Sequence, residues 1–230
     1  MHQITLLCPP DSTLTAPRQN DAMRIFTELS PTGARRLGVE LGRRARPPRR
    51  TLVLGGARSG KSVTAERMLA DRQDVLYVAT GGSRDGDAEW ADRIRLHRDR
   101  RPASWRTAET CDLEPLLGDA EGGPLLIDCL ALWLTSAMDD CGAWDDDVWA
   151  ARGETTLRTR TAGLVAAWRG TRRRVVAVSN EVGSGVVPAT ASGRRFRDEL
   201  GRLNAAVAGG SDQVLLVVAG QPLRLKGPGR

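Results

Sequence analysis

Eight consecutive residues carry the strongest chemical signal in the chain: Gly55-Gly56-Ala57-Arg58-Ser59-Gly60-Lys61-Ser62. They satisfy G-x-x-x-x-G-K-[ST] in full, the pattern of a phosphate-binding loop, or P-loop. The glycines let backbone N–H groups turn inward and approach phosphate oxygens closely. A helix opening at the end of the loop adds partial positive charge. Lys61 reaches the terminal phosphates of a nucleoside triphosphate, and the Ser62 hydroxyl can hold Mg²⁺. Only two of the 34 basic residues are lysine, Lys61 and Lys226, in a chain that otherwise uses arginine. A compact ammonium fits inside a ring of backbone amides where a planar guanidinium does not. The alternative is a chance glycine turn. Against it stand the apolar run Thr51–Leu54 before the loop and the helical pattern after it.

A nucleotide held this way needs a carboxylate at the end of a neighbouring strand, for the magnesium water shell or as a base. Asp128 ends the run Pro124–Cys129 and is placed for that role, or else it caps the helix that follows. His97 is the only histidine beyond position 2, and Arg93, Arg95, Arg98, Arg100 and Arg101 surround it. A neutral imidazole among arginines can act as a nucleophile at a phosphorus while the guanidiniums hold phosphate oxygens. The competing reading is a packing histidine on a solvated, charged helix face. Asn180 and Glu181 end another apolar run, either facing the same crevice or forming a polar turn before Gly183.

These residues require a scaffold that brings several strand ends together. From Thr51 onward, short apolar runs alternate with longer helical patterns. The expected strands are Thr51–Leu54, Asp74–Ala79, Pro124–Cys129, Arg174–Ser179 and Gln213–Ala219, with Leu223–Lys226 as an antiparallel edge. The expected helices are Ser62–Asp71, Gly86–Arg100, Leu130–Met138, Asp145–Arg169 and Gly193–Gly209. Strands apolar on both faces belong to a mainly parallel sheet with helices on both sides, an α/β fold.

Residues 1–50 read as a separate Arg/Pro-rich leader, expected to be mostly disordered, joined at Arg46–Arg50 to a domain of residues 51–230. The leader holds nine arginines against four acids, and the other 180 residues carry 25 basic against 24 acidic side chains. A near-balanced body argues against an extended nucleic-acid surface there. No apolar run is long enough to span a bilayer, the apolar stretch within Met1–Pro10 is too short for a signal peptide and has no basic residue before it, and a cytoplasmic protein is expected. The four cysteines are scattered and form no C-x-x-C pair, which argues against structural zinc.

Five ordered segments together resemble one family. They are Gly55–Ser62, Val75–Thr80, Arg93-Ile94 with His97 and Arg101-Pro102, Trp105–Glu109, and Ser179–Pro188. The family is the bifunctional adenosylcobinamide kinase/adenosylcobinamide-phosphate guanylyltransferase of cobalamin biosynthesis, and the resemblance covers about residues 51–226. It implies a P-loop NTPase with a RecA-like sheet and a homo-oligomer, a trimer. It implies two reactions: phosphorylation of adenosylcobinamide by ATP or GTP, then transfer of GMP from GTP to adenosylcobinamide phosphate. A GMP-histidine intermediate on His97 is expected for the second; Lys61 and Asp128 are the other catalytic residues expected, with Mg²⁺ as cofactor at Ser62 and Asp128 nearby. Nucleotide contacts carried over by position are Gly55, Gly56, Ala57, Arg58, Ser59, Gly60, Lys61, Ser62, Ala79, Thr80, Gly81, Arg98, Asp99, Arg100, Arg101, Glu109 and Asp128. The chain departs from some members in having Leu96-His97 in place of a histidine pair and Asp where they have Glu at position 128. Two rival readings stay open: a P-loop kinase of another small molecule, in which His97 is structural, and a non-catalytic nucleotide-binding module that uses the leader as its contact arm.

Overall fold

The computed structural model describes residues 47–82, 95 and 101–227 in full, and residues 21–29 and 35–43 as backbone. The chain divides into two compact units, Met1–Pro47 and Pro48–Arg230. Within the first unit lies a hairpin, where the sequence reading expected no order. Strand β1 (Asp21–Leu29) pairs antiparallel with β2 (Arg35–Arg43), from Asp21 opposite Arg43 to Leu29 opposite Arg35. In that register Met23 falls opposite Leu41 and Ile25 opposite Val39. This period-2 pattern is masked in the sequence by interleaved arginines and glycines.

The second unit contains a seven-stranded sheet. Its strands are β3 (Arg50–Gly55), β4 (Leu76–Ala79), β5 (Arg106–Glu109), β6 (Leu125–Asp128), β7 (Val175–Asn180), β8 (Gln213–Val218) and β9 (Gln221–Lys226). They lie in the order β5-β4-β6-β7-β3-β8-β9. All neighbours are parallel except β9, which returns antiparallel along β8 as an edge. Thr51 to Gly55 in β3 and Val175 to Ser179 in β7 are buried without a break, which requires cover on both faces of the sheet. Helices α1 (Lys61–Arg67), α2 (Leu113–Gly118), α3 (Leu130–Asp140), α4 (Glu154–Gly170) and α5 (Ala191–Gly210) supply it. Leu52, Val53, Val78, Leu126, Ile127, Val176 and Val178 form one core with Leu134, Met138, Trp168 and Leu200 from the helices.

Local sequence explains where these elements begin and break. Thr190 caps α5, its hydroxyl accepting from the Gly193 N–H at 3.1 Å. The segment expected as one helix, Asp145–Arg169, is interrupted. Asp145 caps a single turn, Asp146–Val148, and a π-turn at Trp149–Gly153 precedes α4. A Cβ at Gly153 would lie 3.0 Å from the Cys141 carbonyl oxygen, so the wide turn is set where two backbones nearly touch. Strand β5 and helix α2 were not foreseen. The expected helix Gly86–Arg100 lies outside the described residues, save Arg95.

Polar ties hold the opposite, N-terminal edge of the sheet. Arg173 is buried; it donates to the carbonyls of Gly123 and, at 2.9 Å, Leu116. It also reaches Asp119 at 3.3 Å. Burial lowers the affinity of its guanidinium for its proton, and Asp119 opposes that shift. Arg50 and Asp212 pair at 2.8 Å, joining the starts of β3 and β8, and the Arg49 and Arg50 N–H groups also donate to Asp212.

Candidate active site

The register of the parallel strands gathers the expected residues along one edge. Gly55 at the end of β3 lies opposite Asn180 of β7 and Val217 of β8. Asp128 at the end of β6 lies opposite Ala79 of β4 and Val178 of β7, and Ala79 opposite Glu109 of β5. Gly55, Ala79, Glu109, Asp128 and Asn180 therefore share the C-terminal edge of the sheet. In open α/β sheets this is where ligands bind.

The loop after Gly55 is held by its own backbone and by two neighbouring segments. The Gly55 carbonyl accepts from the Glu181 N–H at 3.1 Å, and the Ser59 carbonyl from the Gly220 N–H at 2.9 Å. Gly60 has φ 92° and lies against Gly220, where an added Cβ would be 3.3 Å from the Gly220 Cα. Gly55 is required for another reason: a Cβ there would collide with the Ser59 hydroxyl and lie 2.7 Å from the Val217 carbonyl oxygen. Gly56 has open space around it. Lys61 is 6% exposed and its ammonium donates to the Gly56 carbonyl at 3.1 Å, folded back over the loop. The Ser59 hydroxyl is buried with no protein partner among the described residues. Arg58 is exposed at the loop's rim, next to Ala57.

On the other side of the crevice, Asp128 is half-buried and joined to Cys129 by a cis peptide bond. Helix α3 is capped at Cys129 and no side chain closes the cap, so Asp128 is not its capping residue. Its Oδ2 accepts from the Tyr77 hydroxyl at 3.0 Å. Burial first, and the adjacent carboxylate second, drive the Tyr77 phenol upward, so it stays protonated and donates. Burial likewise pushes the Cys129 thiol up to about 11, which keeps it protonated and unreactive. The Arg101 guanidinium lies over the Tyr77 ring, 3.6 Å from its centre.

Thr80 is buried, and its hydroxyl donates to the Cys129 carbonyl at 2.7 Å and accepts from the Cys129 N–H at 3.0 Å. That side chain ties β4 to β6. Gly81 is half-buried beyond it, and Glu109 is exposed. His97, Arg98, Asp99 and Arg100 lie outside the described residues. The sequence reading passed over Tyr77, although it is the only tyrosine in the chain and stands two residues before Ala79 in a strand otherwise aliphatic. It also passed over Asn204, whose Nδ2 donates to the Asn180 carbonyl at 2.9 Å and fixes the end of β7.

The donor set suits a hard cation shared with phosphates. No group of three or more His, Cys, Asp or Glu side chains gathers among the described residues, so no all-protein metal cage exists there. A hydroxyl at Ser62, one carboxylate at Asp128, phosphate oxygens and water match the coordination habits of Mg²⁺.

The parallel sheet, the complete loop at the end of β3 and the buried Lys61 define a P-loop NTPase of RecA-like α/β architecture. Residues 51–225 match the family described as cobinamide kinase / cobinamide phosphate guanyltransferase. The bifunctional adenosylcobalamin biosynthesis protein CobP of Pseudomonas aeruginosa is 43% identical over 186 residues, covering 77% of this chain and 98% of that one. The bifunctional adenosylcobalamin biosynthesis protein CobU of Salmonella typhimurium is 41% identical, covering 76% and 98%. Its namesake in Escherichia coli is 39% identical over 180 residues, again covering 76% and 98%. The chain belongs to the cobinamide kinase / cobinamide phosphate guanyltransferase family. No helix among the described residues is long and apolar enough to cross a membrane.

Proposed function

We propose that the protein phosphorylates adenosylcobinamide and then guanylylates the product, using one crevice at the C-terminal edge of its sheet. The complete loop Gly55–Ser62 with Lys61 buried over it, in a chain belonging to this family, carries the reading. In the first reaction the hydroxyl oxygen of the aminopropanol arm attacks the terminal phosphorus of ATP or GTP. The bond from that phosphorus to the bridging oxygen breaks, a nucleoside diphosphate leaves, and the hydroxyl proton passes to a carboxylate or to water. Backbone amides of residues 56–62 and the Lys61 ammonium stabilise the charge that builds on the phosphates. Ser62, with Asp128 nearby, would hold Mg²⁺, which would supply charge neutralisation to the phosphates.

In the second reaction a ring nitrogen of His97 attacks the α-phosphorus of GTP, and pyrophosphate leaves. A phosphate oxygen of adenosylcobinamide phosphate then displaces the histidine, giving adenosylcobinamide-GDP. Splitting the transfer lets the acceptor phosphate bind after pyrophosphate has gone, so two polyanions never share the crevice. Arg98, Arg100 and Arg101 hold phosphate oxygens, and Ala79, Gly81, Asp99 and Glu109 contact the nucleotide. The protein works in the cytoplasm as a trimer.

The test is purified protein with adenosylcobinamide, Mg²⁺ and either ATP plus GTP or GTP alone, followed by chromatography of the corrinoids. Conversion to adenosylcobinamide phosphate and then adenosylcobinamide-GDP is expected. Corrinoid recovered unchanged from a protein that binds GTP overturns the reading.

A further inference from the structure

The buried tyrosine of β4 touches two charged groups on its side of the crevice. Tyr77 is 5% exposed and sits between Leu126 of β6 and Thr107 of β5. Its hydroxyl donates to Asp128 Oδ2, two positions nearer the C-terminal edge on the adjacent strand. Its ring face carries the Arg101 guanidinium. Arg101 Nη1 also donates to the hydroxyl of Thr107 at 3.3 Å, and Thr107 is the register partner of Tyr77. Two neighbouring residues on paired strands thus hold one guanidinium between them.

We propose that Tyr77 is a positioning residue that fixes Asp128 and Arg101 together, the carboxylate through its hydroxyl and the guanidinium through its ring. This rests on the functional reading above, in which both charged groups serve a bound nucleotide. A hydroxyl donating to a carboxylate makes a charge-assisted bond that restricts the carboxylate to one orientation. The same donation enriches the ring in electrons and strengthens its hold on the cation above it. A residue needed only to fill the core has no use for the hydroxyl. The other members of β4, Leu76, Val78 and Ala79, are aliphatic. Tyr77 connects the Asp128 side of the crevice to the segment that follows His97, and so links the groups assigned to the two reactions.

Two substitutions separate the hydroxyl from the ring. Tyr77→Phe keeps the surface under Arg101 and removes the bond to Asp128. It is expected to lower kcat of corrinoid phosphorylation about tenfold while GTP affinity stays within about twofold. Tyr77→Leu also removes the ring and is expected to weaken GTP binding about fivefold. Arg101→Ala should cost about as much on the wild-type background and little more on Tyr77→Leu, because the two changes remove one interaction. Likewise Asp128→Asn should cost less kcat on Tyr77→Phe than on wild type. Equal costs on both backgrounds, or a Tyr77→Phe enzyme with wild-type kcat, make Tyr77 a core filler and overturn the proposal. Thermal unfolding of each variant checks its fold, and the pairings with Tyr77→Phe carry the test where Tyr77→Leu does not fold. GTP binding is measured without corrinoid. The Arg101 cycle therefore decides on Tyr77 even where wild type leaves adenosylcobinamide unmodified, a result that sinks only the functional reading.

Discussion

Gly55 and Gly56 are adjacent in the loop, and their surroundings differ. A Cβ at Gly55 meets the Ser59 hydroxyl and the Val217 carbonyl, whereas Gly56 faces open space. Gly55→Ala is expected to cost about 1–3 kcal/mol of stability through overpacking, and Gly56→Ala less than about 0.5 kcal/mol. Chemical denaturation of the two variants checks this, and equal losses contradict it. Lys61 is the residue whose chemistry depends most on shape. Lys61→Arg keeps the charge, yet a planar fork does not fold back over the Gly56 carbonyl as the ammonium does. It is expected to lower kcat of phosphorylation about 100-fold with the fold intact; activity near wild type would show that charge alone suffices. The positions of the loop, Lys61 and Asp128 at the ends of β3 and β6 were legible in the sequence, because motif and strand end announce them. Tyr77 and Asn204 were not, because their roles are contacts with residues far along the chain.

Elements are positioned by a few polar ties at the edge of the sheet away from the crevice. Arg50 and the N–H groups of Arg49 and Arg50 hold the Asp212 carboxyl below its ordinary range, against the upward pull of burial. A carboxyl depressed in the folded state stabilises above its unfolded pKa, and that contribution fades as pH falls below about 4. Asp212→Asn should therefore lose less stability than wild type between about pH 6 and about pH 3, as read by urea unfolding at each pH. Parallel curves would remove Asp212 from the acid response. Arg173→Met should cost about 2–3 kcal/mol, because the Gly123 and Leu116 carbonyls lose their donor. It lies before β7, away from the crevice, so kcat per folded molecule should not change; a fall in kcat would contradict that separation. The β3, β4, β6, β7 and β8 strands were legible as continuous apolar runs. Strand β5 was hidden because three of its four residues are exposed, and its order comes from pairing with β4. The break before α4 was hidden because its cause, the Cys141 carbonyl against Gly153, is a tertiary contact.

For the whole molecule, the residues that match the family begin at 51, while the first compact unit ends at Pro47. A chain starting at Pro48 keeps Arg50 and its pairing with Asp212, and is expected to retain the melting temperature and both activities of the full chain. Loss of either activity would assign the leader a part in the chemistry. On the proposed function, one crevice performs two transfers, the second through a covalent histidine. The most direct measurement is incubation with Mg²⁺ and GTP labelled at the α-phosphorus, then a denaturing gel, on wild type and His97→Ala. An acid-labile, alkali-stable label on wild type that vanishes in His97→Ala is the predicted result. A folded, GTP-binding wild type that takes no label, or a label that persists in His97→Ala, would contradict it.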